Sequence, residues 1–277
     1  MQCQRCDRPL CSACMVEAPV GFQCPVCLDE ARRRRPTPRT IFGGRAASGR
    51  PTVTYSVIAI CVLVYLVQIL PVSAGQLLSA LPDLTDLWAY APAYTSTWYP
   101  MFEPWRMLTS AVLHHPGNAM HIAFNMLALW FVGRAMEPEI GRWRFIALLV
   151  LSAWGGSLAI LMSSVFGLTH PFGPTVGASG AVFGLFGALF ILMRSSGSQT
   201  GGIVALVGIN MAVSFLVPNI SWQGHLGGLL TGALVALIIA KAPRKNRTLW
   251  TAVGLTGLAT VLLMLTAVGV QLVPFPM

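Results

Sequence analysis

Ser179 and His225 are the first residues of this chain able to do chemistry together. Ser179 stands in Gly177-Ala178-Ser179-Gly180, at the head of an apolar run that continues through Val182, Phe183, Leu185 and Phe190. His225 stands near the start of another, Gly224-His225-Leu226-Gly227-Gly228-Leu229-Leu230-Thr231-Gly232. A histidine can take the serine proton, leaving a nucleophile for a carbonyl carbon, and later give it to the departing amine, with an acyl-enzyme in between. The oxyanion formed on the way needs donors. Candidates are the Asn125 amide, the His121 ring, which lies four residues earlier on the same helical face, and backbone N–H groups beside Ser179. Every Asp and Glu lies before Arg142, so no carboxylate completes a triad. The residues read as a Ser-His dyad, with His225 oriented by packing.

Two helices must approach closely to join these groups. Gly180, Gly184 and Ala188 form one small-residue stripe at four-residue spacing, and Gly224, Gly228 and Gly232 form another. Either stripe alone means only close packing. Here each carries a reactive residue at its outer end, and Phe183, one turn below Ser179, can act as an aromatic floor for the His225 ring.

The elements that position these groups follow from hydropathy. The chain is 55% hydrophobic and 10% charged over 277 residues, which excludes an ordinary water-soluble domain and predicts an all-α polytopic membrane protein. Apolar runs near 52–71, 118–136, 144–166, 177–194, 202–217, 222–240 and 249–270 predict seven transmembrane helices. With the N-terminus inside, Arg134, Arg142, Arg144, Arg194, Lys241, Arg244, Lys245 and Arg247 all fall on the cytoplasmic side, and Arg106 falls outside. That expectation places the C-terminus outside, in a multi-pass protein of the cell membrane. It also places Ser179, His225, His121 and Asn125 roughly 5 to 12 Å below the outer interface. An ionisable residue in a span is costly and defaults to a functional reading.

Residues 1–28 hold six of the seven cysteines as Cys3/Cys6, Cys11/Cys14 and Cys24/Cys27, a spacing suited to tetrahedral zinc. The alternative, a disulfide-stapled domain, is disfavoured in a reducing cytoplasm. Cys61 reads as core filler. Residues 29–51, with Arg32 to Arg35 and several Pro and Gly, read as a basic flexible linker resting on anionic headgroups, with no nucleic-acid partner expected. The membrane domain then spans 52–271.

These residues resemble the rhomboid intramembrane serine proteases. Gly177-Ala178-Ser179-Gly180 is similar to the family's nucleophile motif, His225 with Gly228 and Gly232 to its histidine motif, His121-x-x-x-Asn125 to its oxyanion element, and Trp105-Arg106 to the marker of its first external loop. The resemblance covers about residues 50 to 270 and implies a six-plus-one helical fold. It implies cleavage of transmembrane protein substrates near the outer face, at small residues in helix-destabilising segments, with no cofactor for catalysis. The loop from Val72 to Pro116 carries Trp88, Tyr90, Tyr94, Trp98, Tyr99 and Trp105, an interfacial set; Arg106 reads as an anchor within it, and His114, His115 and His170 as loop histidines without chemistry.

Related rhomboids carry a module similar to a B-box zinc finger, in which eight ligands hold two zincs in a crossed arrangement. By that resemblance Cys3, Cys6, Cys24 and Cys27 share one structural zinc. Cys11 and Cys14 then stand as half of a second site, which is empty unless the chain truly starts upstream of Met1. The competing function is a non-catalytic rhomboid-like protein that binds client membrane helices, against which the presence of both Ser179 and His225 speaks. A transporter is disfavoured because the spans lack paired charges along a path. The oligomeric state is left open.

Overall fold

The computed structural model describes residues 1–18, 21–34, 40–44, 50–74, 83–218 and 220–275. Arg35 to Arg39 and Arg45 to Gly49 of the basic segment, residues 75–82 of the external loop and the final Pro276 and Met277 lie outside them. The chain forms two compact units, Met1–Pro38 and Arg39–Met277.

In the first unit, β1 (Val16–Glu17) pairs antiparallel with β2 (Phe22–Gln23), and α1 (Pro25–Arg34) follows. Its small core is made of sulfur: Cys3, Cys24 and Cys27 are buried, with Leu10 packed against them. A unit of this size buries too little apolar surface to be stable on that alone. The α1 helix runs on past residue 28, so the basic segment begins helical and not as a free tether.

The second unit is helical: α2 (Thr52–Ala74), α3 (Leu84–Trp88), α4 (Arg106–Thr109), α5 (Ala119–Ala128), α6 (Arg134–Ile140), α7 (Arg142–Val165), α8 (Ser179–Ser195), α9 (Gly201–Leu216), α10 (Trp222–Lys241) and α11 (Arg247–Leu272). A π-helical stretch, Leu129–Gly133, joins α5 to α6 into one span. Among the described residues, five helices are long and apolar enough to cross a membrane, and α8 and α9 are shorter apolar helices of 17 and 16 residues. All seven expected spans are therefore helices, and the protein is a multi-pass membrane protein.

Helices α7, α8 and α10 form the centre. Most of α7 is buried, including Gly155 and Gly156, whereas α2 and α11 expose leucine, valine and isoleucine side chains as lipid-facing helices do. One end of the unit gathers the cationic side chains of Arg142, Arg144, Lys241 and Arg247. There the buried Glu137 carboxylate accepts from Val53 N (3.0 Å), Thr54 N (2.8 Å) and Thr54 Oγ1 (2.8 Å). It caps the first turn of α2, where otherwise unpaired N–H groups favour a negative charge. Residues 40–44, expected to be linker, dock at this end. Phe42 joins the core, Gly44 N donates to Glu139 O at 3.0 Å, and the Arg247 guanidinium donates to Ile41 O. One apolar side chain and its backbone bonds are enough to bind a segment that composition alone marks as solvated.

The other end is held by its loops. Tyr90 and Thr175 form an antiparallel bridge, with N–H···O distances of 3.1 and 2.7 Å. Arg106 donates to Glu103 Oε2 (2.7 Å), Asp86 O (2.6 Å) and Ala89 O (3.2 Å), and lies 4.2 Å from the Tyr94 ring centroid. These bonds fold the loop on itself around a buried guanidinium. Trp98 ties it to the end of α11 by donating to Val273 O at 3.0 Å, and packs edge-on to Phe172 and Phe275.

Candidate active site

Ser179 is the first residue of α8, so its hydroxyl sits where the helix presents N–H groups without intrahelical partners. The approach to it is fixed by Gly177, whose N–H donates to Ser110 O at 3.0 Å and whose φ is +133°, a conformation side-chain-bearing residues avoid. A Cβ there would also fall 2.8 Å from Nε2 of His121 and 3.6 Å from Oγ of Ser179. The same measurement places the His121 ring edge and the Ser179 hydroxyl around one α-carbon.

His225 lies one turn into α10 and is buried. Its ring stacks on Phe183, with centroids 4.1 Å apart and planes 12° from parallel. What brings α10 this close to α8 is backbone contact: a Cβ on Gly228 would sit 2.0 Å from Gly180 O, and one on Gly232 would sit 2.1 Å from Gly184 O. Gly184 in turn faces the Ser152 hydroxyl of α7. Only hydrogen fits at these positions, so the two stripes set the spacing of the helices that carry Ser179 and His225.

Packing is not all that orients His225. Its Nδ1 lies 2.6 Å from the Ser214 hydroxyl, on α9, a contact that sequence reasoning missed. Ser214 is one of two buried residues on α9, with Ile203. In the sequence it reads as one small residue in an apolar helix, and the only hint was that a polar group inside a membrane protein seeks a partner.

Asn125 is buried on α5, and one amide hydrogen is engaged by the His121 carbonyl at 2.8 Å. Its second hydrogen remains for another acceptor. His121 Nδ1 accepts from His115 N at 3.4 Å, which leaves the proton of a neutral ring on Nε2, the nitrogen beside Gly177. Beside Ser179 a cavity of about 50 Å³ is lined by Ser110, Gly156, Ser157, Gly180, Ser221 and Gly224, among others. The Ser179 hydroxyl itself makes no hydrogen bond among the described residues; such contacts are often loose before substrate binds.

The arrangement falls within a known family. The Rhomboid domain family matches residues 101–242. The chain is 35% identical over 222 residues to the Rhomboid protease GluP of Bacillus subtilis (strain 168), covering 76% of this chain and 40% of that protein. This chain belongs to the rhomboid family. The Rhomboid protease GlpG of Klebsiella pneumoniae (strain 342) is 29% identical over 205 residues, 70% of this chain and 65% of that protein. RHOMBOID-like protein 1 of Arabidopsis thaliana is 34% identical over 149 residues, 51% of this chain and 36% of that protein. The chain thus spans less than half the length of GluP and of the plant relative.

A second cluster lies in the N-terminal unit. The sulfurs of Cys3, Cys6, Cys24 and Cys27 all lie within 4.8 Å of one another, close enough to bind a metal ion. Cys6 and Cys24 are 3.8 Å apart, the edge of a tetrahedron with metal–sulfur bonds of about 2.3 Å. Backbone N–H groups aim at these sulfurs, with Cys24 N at 3.3 Å from Cys3 Sγ and Cys27 N at 3.3 Å from Cys24 Sγ. The Cys3 thiol is pulled down to about 6, first by the N–H of Arg5 and then by that of Cys24, while neighbouring sulfurs, Cys6 foremost, push Cys27 up. Cys11 and Cys14 stand apart as an exposed pair with sulfurs 2.8 Å from each other.

Proposed function

We propose that this chain is an intramembrane serine endopeptidase that cleaves transmembrane segments of membrane proteins by a Ser179-His225 dyad. The observation that carries the reading is the interlock of α8 and α10, the helices that bear Ser179, at the N-terminus of α8, and His225, stacked on Phe183. With Nδ1 engaged by Ser214, Nε2 of His225 is the nitrogen left for Ser179. In the first step Nε2 takes the hydroxyl proton as Oγ bonds to the scissile carbonyl carbon. The oxyanion is met by His121 Nε2–H, the free Asn125 amide hydrogen and N–H groups at the start of α8. Collapse breaks the C–N bond, and the proton passes from His225 to the leaving amine. Water, activated by the same nitrogen, then releases the acyl group and restores Ser179.

The glycine-lined cavity supports a preference for a small side chain next to the scissile bond. The cationic end supports a cytoplasmic placement of that face against anionic headgroups, in the cell membrane, with Ser179 near the outer face and the C-terminus outside. In the N-terminal unit, four thiolates suit a structural zinc held by Cys3, Cys6, Cys24 and Cys27.

The test is labelling of the purified protein with a serine-directed fluorophosphonate, together with cleavage of a single-pass membrane substrate. Labelling and cleavage are expected in the wild type and absent in Ser179→Ala. A wild type that is neither labelled nor active, yet retains bound membrane helices, would favour the client-binding reading.

A further inference from the structure

We infer that Ser214 is a positioning residue that holds His225 in the Nδ1–H tautomer, so that the lone pair of Nε2 faces Ser179. The inference deepens the protease reading and rests on it for its consequence, though not for its geometry. The Ser214 hydroxyl has two short neighbours, the Asn210 carbonyl oxygen at 2.7 Å and His225 Nδ1 at 2.6 Å. It has one proton to share between them. A carbonyl oxygen has only lone pairs, so an O···O approach of 2.7 Å is attractive only if the hydroxyl proton lies on that line. The hydroxyl must then accept from the ring, and the proton between Nδ1 and Oγ must be the ring's own.

The opposite assignment, with the hydroxyl donating to Nδ1, leaves two bare oxygens at 2.7 Å and puts a proton on Nε2. That ring could not take a proton from Ser179. Ser214 is 3% exposed and His225 8%, so water does not readily replace the contact. His121 carries the complementary arrangement: its Nδ1 accepts from His115 N and its proton sits on Nε2. The two histidines therefore face the Ser179 region as opposite tautomers, one as base and one as donor.

The test uses three substitutions in the full chain. Ser214→Thr keeps the hydroxyl, Ser214→Val matches the shape of that Thr without a hydroxyl, and Ser214→Ala removes the hydroxyl without adding bulk. Nitrogen-15 NMR of histidine-labelled protein, with the His225 signals assigned by difference against His225→Gln, reads the tautomer directly. The wild type and Ser214→Thr are expected to show Nδ1–H, and Ser214→Val and Ser214→Ala a shift toward Nε2–H or a mixture. In turnover, Ser214→Val is expected to lose about 10²-fold in kcat with KM unchanged, the scale of a misplaced catalytic group, while Ser214→Thr retains activity. An unaltered tautomer in Ser214→Val, or, where the wild type turns over, equal kcat in the Thr and Val variants, would overturn the inference. The NMR readout needs no turnover: a protein that cleaves nothing but shows the tautomer shift supports the assignment and counts against the protease reading instead.

Discussion

Helices α8 and α9 both touch the His225 region, and they do so by opposite means. Helix α8 meets α10 backbone to backbone, with carbonyls of Gly180 and Gly184 pressed onto the α-carbons of Gly228 and Gly232. Helix α9 exposes most of its surface and reaches His225 through one hydroxyl. The first contact fixes distance and leaves no freedom, because any added carbon collides with main chain. The second fixes a proton's location and leaves α9 otherwise little held. Distance and protonation state are thus set by different helices, and each can be perturbed without the other.

The largest effects fall on the pair itself. Ser179→Ala and His225→Ala are each expected to abolish cleavage of a membrane-helix substrate while the protein stays folded by gel filtration and circular dichroism. Asn125→Ala is expected to keep residual activity, since loss of one oxyanion donor costs about 10²–10³ in rate. Wild-type turnover by Ser179→Ala would end the enzyme reading. Gly228→Leu attacks the first arm of the comparison: the side chain must displace α10 from α8, and a shift near 1 Å costs about 10²-fold. Ile209→Leu, on the exposed face of α9, is expected to leave turnover unchanged. If Gly228→Leu were also silent, the stripes would not set the dyad distance.

Tight packing was legible in the sequence because it leaves a period. Glycines four apart on two apolar runs announce a close approach, and the reactive residues sit at the ends of those runs. The Ser214 contact leaves no such trace: its partner is eleven residues away across a turn, and only the rotation of α9 decides whether it faces lipid or His225. The same reason hid the docking of residues 40–44, which depends on one phenylalanine and on carbonyls that every residue has. The bridge between Tyr90 and Thr175 is main-chain hydrogen bonding and is equally silent in side-chain pattern.

In the N-terminal unit the comparison is between cysteine pairs. If the four sulfurs hold the proposed zinc, Cys24→Ser is expected to abolish its binding and unfold the unit, since metal binding supplies much of the folding energy of such modules. Cys11→Ser is expected to retain one zinc per chain, because its sulfur lies outside the four-sulfur cluster. Metal analysis of purified protein by mass spectrometry checks both. Two tightly held zincs per chain, or loss only in Cys11→Ser, would show that the pairs combine differently.

The smallest expected effect concerns His114, which is fully buried at the loop end of the molecule. Neither ring nitrogen meets a partner in good hydrogen-bond geometry, and the ring packs edge-on to His121 with centroids 5.3 Å apart. Burial, and then repulsion from His121, push its pKa down to about 4, against a weaker opposing contact with the Val112 backbone. The sign follows from proton counting. Above the unfolded value of about 6.5 both states are neutral at this residue and it adds no pH dependence. As the pH falls from about 6.5 toward 4, the unfolded chain takes up a proton that the folded one refuses, so stability drops across that window. Below it both states are protonated and the penalty stays constant. At pH 5 the loss relative to pH 7.5 is about 2 kcal/mol. Replacing the ring by Phe removes the proton site and keeps the apolar packing, so the pH 7.5 to pH 5 drop in thermal stability in detergent is expected to be smaller in His114→Phe by that amount. An equal drop in both proteins would mean that His114 takes up a proton in the folded chain as readily as in the unfolded one.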